Sequence, residues 1–396
     1  MKLLMAHNRY RYTGGEDVVF LREAALLRSA GHDVVEYVRH NTEIPNHGIL
    51  SSVTTGIQSV WAWDTTRELR SILRRERPEF VHFHNTFPLI SPAAYYVCKE
   101  GGVPVVQSLH NPRILCPAAT LYREGRVCED CLGRDVPWPG VVHACYHNSR
   151  PQTAVVAGMI AIHRLLRTWQ EQVDAYIAFT EFSRQKFITA GLPPERVFLK
   201  PHFLSADPGI REGTGNYALF MGRLAPEKGL GTLMRAWKDL RHIPLWICGE
   251  GPMEDDVRRI AEGNPSIRAL PRLSRCDCFH LTKGARFLVW PSEGYNETFG
   301  LVAIEAFACG TPVVASRLGA MSEIVEDGKT GLHFKAGSAE DLADKVEWAW
   351  SHPREMEMMG RAARAEYEGK YTAERNYQLL MDIYSWTQSA RERKAA

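Results

Sequence analysis

Short apolar runs, each followed by an amphipathic stretch, recur along the whole chain, and this alternation constrains the fold more than any other feature. The strand-like runs are Lys2–Ala6, Asp33–Val38, Phe80–His84, Val103–Leu109 and Ala175–Phe179, then Tyr217–Met221, Pro244–Cys248, Arg286–Trp290 and Pro312–Ala315. Helical periodicity fills Glu16–Ala30, Leu230–Leu240, Met253–Glu262 and Ala339–Trp350. Strand–helix alternation predicts parallel sheets with helices on both faces. The chain has 396 residues, and single cores stop growing at about 250–300 residues. The expected architecture is therefore α/β, with two Rossmann-like domains.

Two stretches interrupt the alternation. Residues 116–150 are rich in Cys, Pro and Gly without a clear period and read as an ordered insertion. Residues 200–216, through Pro201, Pro208, Gly209, Gly213 and Gly215, read as an interdomain linker. The expected domains are 1–204, carrying the insertion, and 205–372, with a helix over 373–396 returning to the first. In such sheets ligands sit outside the carboxyl ends of the strands, so the loops that follow strands are where chemistry is sought.

Charge and targeting narrow the class. Lys and Arg total 48 against 46 Asp and Glu, which argues against a dedicated nucleic-acid binder. The N-terminal apolar run is too short for a signal peptide. The nine-residue run Ala154–Ile162 cannot span a membrane core that needs about 20 residues. Nine cysteines without a secretion signal predict reduced thiols and a cytoplasmic location. The stretch Ala154–Val173, with His163, Arg164, Arg167 and Trp169, fits either a core helix or one lying in a bilayer interface. The core reading is favoured, with weak membrane-surface contact left open for a lipid-linked partner at the inner face of the membrane.

The densest constellation runs from Pro291 to Ala308. It follows the strand Arg286–Trp290 and predicts a helix opening near Thr298, whose free N–H groups suit a phosphate. Gly300 would allow close anion approach. Glu305 shares a helical stripe with the apolar Leu301, Ile304 and Ala308. A carboxylate there needs a partner: a Lys or Arg on the bland reading, a ribose on the ligand reading. Six residues past Phe299, it would lie roughly 9 Å along the helix. Gly222-Arg223-x4-Lys228-Gly229 follows another strand and offers two cations to a diphosphate, or a solvated turn with a Glu227–Lys228 pair. Gly249-x-Gly251-Pro252, the Gly14-Gly15 loop and His110 each follow a strand, and each alone is equally compatible with a structural role.

Taken together, these motifs resemble the retaining nucleotide-sugar glycosyltransferases of family four, over nearly the whole chain. The most specific element is Glu297-x-Phe299-Gly300-x4-Glu305. The resemblance implies the GT-B fold, two Rossmann-like domains facing across a cleft, and a nucleotide diphosphate sugar donor, UDP- or GDP-linked. It implies that Arg223 and Lys228 hold the diphosphate, that Glu305 binds the ribose, and that Glu297 and His110 face the donor sugar. Backbone around Phe299, Gly300 and Leu301 would meet hydroxyls and phosphates, and Gly15 would approach the diphosphate. Gly14, Gly222, Gly249 and Gly251 complete the expected binding loops. No covalent nucleophile and no catalytic metal are expected. The acceptor would be a saccharide or a lipid-linked saccharide. A nucleotide-sugar epimerase or hydrolase, or a non-catalytic nucleotide-sugar-binding protein, are the alternatives.

Two departures stand out. A rival alignment places Glu293 rather than Glu297 in the donor loop, and Asn111 follows His110 where many relatives carry an acid. Within the insertion, Cys116-x11-Cys128-x2-Cys131-x13-Cys145 has a spacing compatible with a structural four-thiolate zinc site. A redox pair at Cys128 and Cys131, or plain buried thiols, are the rivals, and His143 or His147 could replace one ligand.

Overall fold

Apolar runs bounded by turn residues become the strands of two separate parallel sheets. The computed structural model describes residues 1–11, 14–44, 49–295 and 297–395. The first sheet contains β1 (Lys2–Arg9), β2 (Asp33–His40), β3 (Phe80–Asn85) and β4 (Val105–Ser108). A small antiparallel hairpin, β5 (Tyr122–Arg123) and β6 (Arg126–Val127), lies in the irregular insertion, and the first sheet then resumes with β7 (Ala175–Ala178) and β8 (Val197–Leu199). Its order is β2-β1-β3-β4-β7-β8. The second sheet contains β9 (Ala218–Met221), β10 (Leu245–Cys248), β11 (Ile267–Leu270), β12 (Phe287–Trp290), β13 (Val313–Ser316) and β14 (Gly331–Phe334), in the order β11-β10-β9-β12-β13-β14.

Every residue of β4, β7, β12 and β13 is buried, as expected of central parallel strands covered by helices on both faces. The strands that sequence reading missed are short or lie at sheet edges. β8 has three residues, β11 exposes Arg268 and Ala269, and β14 starts on Gly331 and contains His333.

The chain divides into two units. One comprises Met1–Leu121, Glu129–Lys200 and Asn376–Ala396; the other comprises Tyr122–Cys128 and Pro201–Arg375. The long C-terminal helix Ala373–Ala395 thus gives most of its length to the first unit. There Tyr384 stacks on Phe80, with ring centroids 4.9 Å apart.

The helix Arg150–Leu165 buries Thr153, Val156, Ala157, Met159, Ile160 and His163 on its inner face. Ile162 and Leu165 remain exposed on the outer face. Among the described residues, no helix is long and apolar enough to cross a membrane.

Strand order fixes where each unit can bind a ligand. From β1 the chain moves outward to β2, then returns to place β3 on the other side of β1. In the second sheet β9 leads outward to β10 and β11, and β12 returns to the other side of β9. These reversals are topological switch points, beside which the strand-end loops open a crevice.

Candidate active site

In the second unit, the switch point lies between the loops after β9 and β12, and these two loops are knitted together. The Glu293 amide donates to the Glu227 carbonyl at 3.0 Å. The Lys228 ammonium pairs with Glu297 Oε1, and Ser292 Oγ donates to the same oxygen at 3.0 Å. Burial opposes ionisation of Glu297, but Lys228, Ser292 and Trp290 hold its carboxyl below the usual range. The pair is therefore ionic at neutral pH, and the surface pairing of Lys228 with Glu227 is not what forms. Glu293 instead accepts from Thr232 Oγ1 at 2.5 Å. Of the two candidate glutamates, Glu297 is the one joined to the cation. Asn296, between them, lies outside the described residues.

Arg223 stands on the same loop, exposed, and among the described residues no hydrogen bond or ion pair engages its side chain. The crevice is thus bordered by one exposed cation, Arg223, and one cation, Lys228, paired with a carboxylate.

The glycines divide by cause. A Cβ on Gly249 would lie 1.9 Å from the Gly222 carbonyl oxygen, and one on Gly251 would lie 2.5 Å from that of Leu224. The β10 loop is thereby packed backbone to backbone on the β9 loop, closed by the Leu224 amide donating to Glu250 at 2.9 Å. Gly249 and Gly251 are accounted for by that packing. Gly300 has φ +105°, and a Cβ there would meet the Trp290 ring at 2.1 Å.

Because Gly300 is not helical, the helix opens at Leu301 and runs to Ala308, three residues later than the sequence suggested. Glu305 therefore stands about 6 Å along the axis from the helix start, not roughly 9 Å. It is half-buried, and its charge contributes to raising the thiols of Cys278 and Cys309, behind burial and, for Cys278, a hydrogen bond with Cys248. The Phe299 ring is buried against His202 and Tyr371, at centroid distances of 4.9 and 5.8 Å. Phe299 can therefore offer a ligand only its backbone.

In the first unit, Gly14 caps the helix Gly15–Ser29, and its amide donates to Asp17 Oδ2 at 2.6 Å. Asp17 Oδ1 is held by buried His7 at 2.9 Å. A Cβ on Gly14 would meet nothing closer than 3.7 Å, so packing does not demand a glycine there. Asn111 Nδ2 donates to Glu16 Oε2 at 3.3 Å, and burial, reinforced by Asp17, pushes the Glu16 carboxyl up to about 8. His110, half-buried after β4, hydrogen-bonds through Nε2 to His84 Nδ1 at 2.9 Å. His84, Asn85, His110, Asn111 and Arg113 line a pocket of about 50 Å³. His84 and Arg113 were not singled out from sequence. The signal for His84 was present: His82 and His84, two apart on a fully buried strand, face the same side of the sheet.

Of the four cysteines of the insertion, Cys116 and Cys131 are buried and Cys128 and Cys145 half-buried. Cys128 belongs to the second unit and the other three to the first. The thiols of Cys116, Cys131 and Cys145 alone do not form a group with sulfurs within 4.8 Å of one another.

Comparison with known proteins bears on both units. Residues 13–206 match the model of Glycosyltransferase Family 4, and residues 206–366 match that of Glycosyl transferases group 1. The chain is 30% identical over 277 residues to a D-rhamnosyltransferase of Pseudomonas aeruginosa, covering 64% of this chain and 72% of that protein. It is 38% identical over 176 residues to a D-inositol 3-phosphate glycosyltransferase of Pseudarthrobacter chlorophenolicus, covering 41% of each. The match spans only about two fifths of the length of that protein and of a sulfoquinovosyl transferase of Arabidopsis thaliana. The crystal structure of Anabaena HepE in complex with UDP superposes with a TM-score of 0.69 at 16% identity, covering 97% of this chain and 100% of that one, a likeness of fold. Two parallel Rossmann-like sheets, the paired Lys228 and Glu297 at a switch point, and family matches to both halves agree: the chain belongs to the group 1, family 4 glycosyltransferases of GT-B fold.

Proposed function

We propose that the protein is a retaining glycosyltransferase. It moves a hexose from a UDP- or GDP-linked sugar to a hydroxyl of a saccharide or lipid-linked saccharide, in bacterial surface-polysaccharide or glycoconjugate assembly. The observation that carries this reading is the Lys228–Glu297 pair joining the loops that flank the second switch point, with Arg223 exposed on one of them. Relatives named for glycosyl transfer, and a fold neighbour crystallised with UDP, support it. For a lipid-linked acceptor, exposed Ile162, Leu165 and Leu166 give the first unit a surface suited to weak membrane contact.

As the bond from the anomeric carbon to the diphosphate oxygen breaks, negative charge develops on the diphosphate. The Arg223 guanidinium offers two parallel donors to that charge, and the Lys228 ammonium a point charge. Glu297 holds Lys228 in place beforehand, so little reorganisation is needed at the transition state. Glu297 faces the sugar, Glu305 takes the ribose hydroxyls, His110 hydrogen-bonds the sugar, and Gly15 approaches the diphosphate. The leaving phosphate accepts the acceptor's proton on the same face of the sugar, which preserves configuration. No catalytic metal is proposed, because the two cations supply the positive charge.

The test is incubation with α-linked UDP- and GDP-hexoses and a panel of saccharide acceptors, with the product anomer read by NMR. An α-linked product is expected. A β-linked product would overturn retention. Complete conversion of the donor to an epimer or free sugar, with no transfer to any acceptor, would favour the epimerase or hydrolase alternative.

The four cysteines of the insertion are proposed to hold one structural zinc, whose binding would have to draw the thiols of Cys116, Cys131 and Cys145, not grouped here, into one ligand shell. The backbone there is irregular: six of the nine non-glycine residues at positive φ among the described residues (Ala119, Leu121, Glu124, Ala144, His147 and Asn148) lie in it. Each such residue costs about 1 kcal/mol or more. Two-residue strands and a five-residue helix contribute little to offset that, and thiolate ligation supplies folding free energy directly. Metal analysis of protein kept reduced throughout is expected to find about one zinc per chain. Absence of zinc, with Cys128→Ser and Cys131→Ser leaving stability unchanged, would reduce these residues to ordinary thiols.

A further inference from the structure

Behind His110 lies a buried polar chain that the proposed chemistry does not use. His110 Nε2 lies 2.9 Å from His84 Nδ1. On the other side of the ring, His84 Nε2 lies 3.4 Å from Glu23 Oε1. Glu23 Oε2 is bound by the Lys200 ammonium at 2.6 Å, and Lys200 also donates to Asn376 Oδ1 at 3.1 Å. His82 flanks the chain, with Nδ1 3.2 Å from Glu23 Oε1 and 2.8 Å from the Tyr384 hydroxyl, and Nε2 2.9 Å from Ser108 Oγ. Glu23, His82, His84, Lys200 and Asn376 are all at most 2% exposed.

Lys200 is also the residue at which the chain leaves this unit, and Asn376 the one at which it returns. The ammonium that neutralises Glu23 therefore joins the two passages of the chain, through its own residue and the Asn376 side chain.

Charge decides where the protons sit. Burial opposes ionisation of Glu23, but Lys200, His82 and His84 together hold its carboxyl well below the ordinary range. Burial, the leading cause, brings His82 down to about 3, so it is neutral at pH 7. An ionised carboxylate only accepts hydrogen bonds, so its charge, 3.4 Å from His84 Nε2 and outside hydrogen-bond geometry, favours the tautomer with the proton on that nitrogen. His84 Nδ1 is left as an acceptor, and His110 must donate to it from Nε2. The other nitrogen of His110, Nδ1, is then proton-free.

We propose that Glu23 and His84 are positioning residues that lock His110 as its Nε2–H tautomer, making its Nδ1 a hydrogen-bond acceptor for a hydroxyl of the donor sugar. The inference rests on the reading that His110 contacts that sugar. The logic is that of a second-layer carboxylate fixing the tautomer of a functional histidine, extended here through one further imidazole.

The direct test needs no mutation. Two-dimensional 15N–1H correlation of the imidazole nitrogens near neutral pH is expected to show His110 and His84 both protonated at Nε2. An Nδ1–H tautomer at His110 would overturn the proposal. Glu23→Gln is expected to mix the His110 tautomers and lower kcat about 10- to 100-fold, with KM for the donor nearly unchanged. A folded Glu23→Gln enzyme with the same His110 spectrum and the same kcat would also overturn it.

Should Glu23→Gln fail to fold around Lys200, His84 variants decide. His84→Asn places an amide oxygen near the former Nδ1 and is expected to keep His110 protonated at Nε2 and retain most of kcat, whereas His84→Leu should lose both. Equal kcat in the two variants would count against the proposal. His110→Ala separates the two readings: unchanged turnover in that variant would refute the sugar contact itself, while the wild-type spectrum would still judge the tautomer.

Discussion

Replacing Arg223 or Lys228 with alanine is expected to lower kcat by about 10²–10³-fold each, equivalent to roughly 3–4 kcal/mol, the range seen when one preorganised donor to a developing anion is lost. The fold should survive, because Arg223 is exposed and Lys228 is partly so. The two variants should nonetheless differ. Arg223 has no partner among the described residues, so its removal deletes only the proposed diphosphate contact. Removing Lys228 also strips Glu297 of its counter-charge, leaving a buried carboxylate that can neutralise itself only by taking up a proton. The pH dependence of turnover should therefore change in Lys228→Ala and not in Arg223→Ala. Steady-state kinetics across pH would check this, and near-normal turnover in both variants would refute the diphosphate role.

Changing each glutamate to glutamine is expected to separate binding from chemistry. Glu297→Gln should lower kcat severely, because the ionised carboxylate fixes Lys228 and is proposed to face the sugar. Glu305→Gln should chiefly weaken nucleotide binding, because its proposed partner is the ribose. Nucleoside diphosphate affinity and single-turnover rates, measured on both variants, give the comparison. Unchanged nucleotide affinity in Glu305→Gln would remove the ribose assignment. Equal loss of affinity in both would mean that the β12 loop had been disturbed as a whole.

Much of this arrangement was legible in the sequence because it depends on short-range pattern. The central strands read as continuous apolar runs, since helices cover both of their faces, and the functional loops stand where those runs end. Arg223, Lys228 and Glu297 were found by spacing and resemblance, and the structure joins the last two directly. What sequence could not show is which groups meet. The Lys228–Glu297 pair spans 69 positions, and the local alternative, Glu227 beside Lys228, was the nearer guess. The helix start near Thr298 was misplaced because Gly300 adopts a positive φ against the Trp290 ring, a tertiary constraint with no local signature. Glu23 and Lys200 lie 177 positions apart, one within a predicted helix and the other at the start of the predicted linker, with nothing local to pair them. Only the His82-x-His84 alternation on a buried strand hinted at the network they complete.

Donor binding in the proposed reaction requires that the loops after β9 and β12 take up a nucleoside diphosphate. The most direct test is calorimetric titration of UDP and GDP into the wild-type protein and into Arg223→Ala. The expected result is saturable binding of at least one of the two at a single site per chain, weakened at least tenfold, about 1.4 kcal/mol, by the substitution. Failure of both nucleotides to bind at millimolar concentration, or equal affinity in wild type and variant, would contradict it.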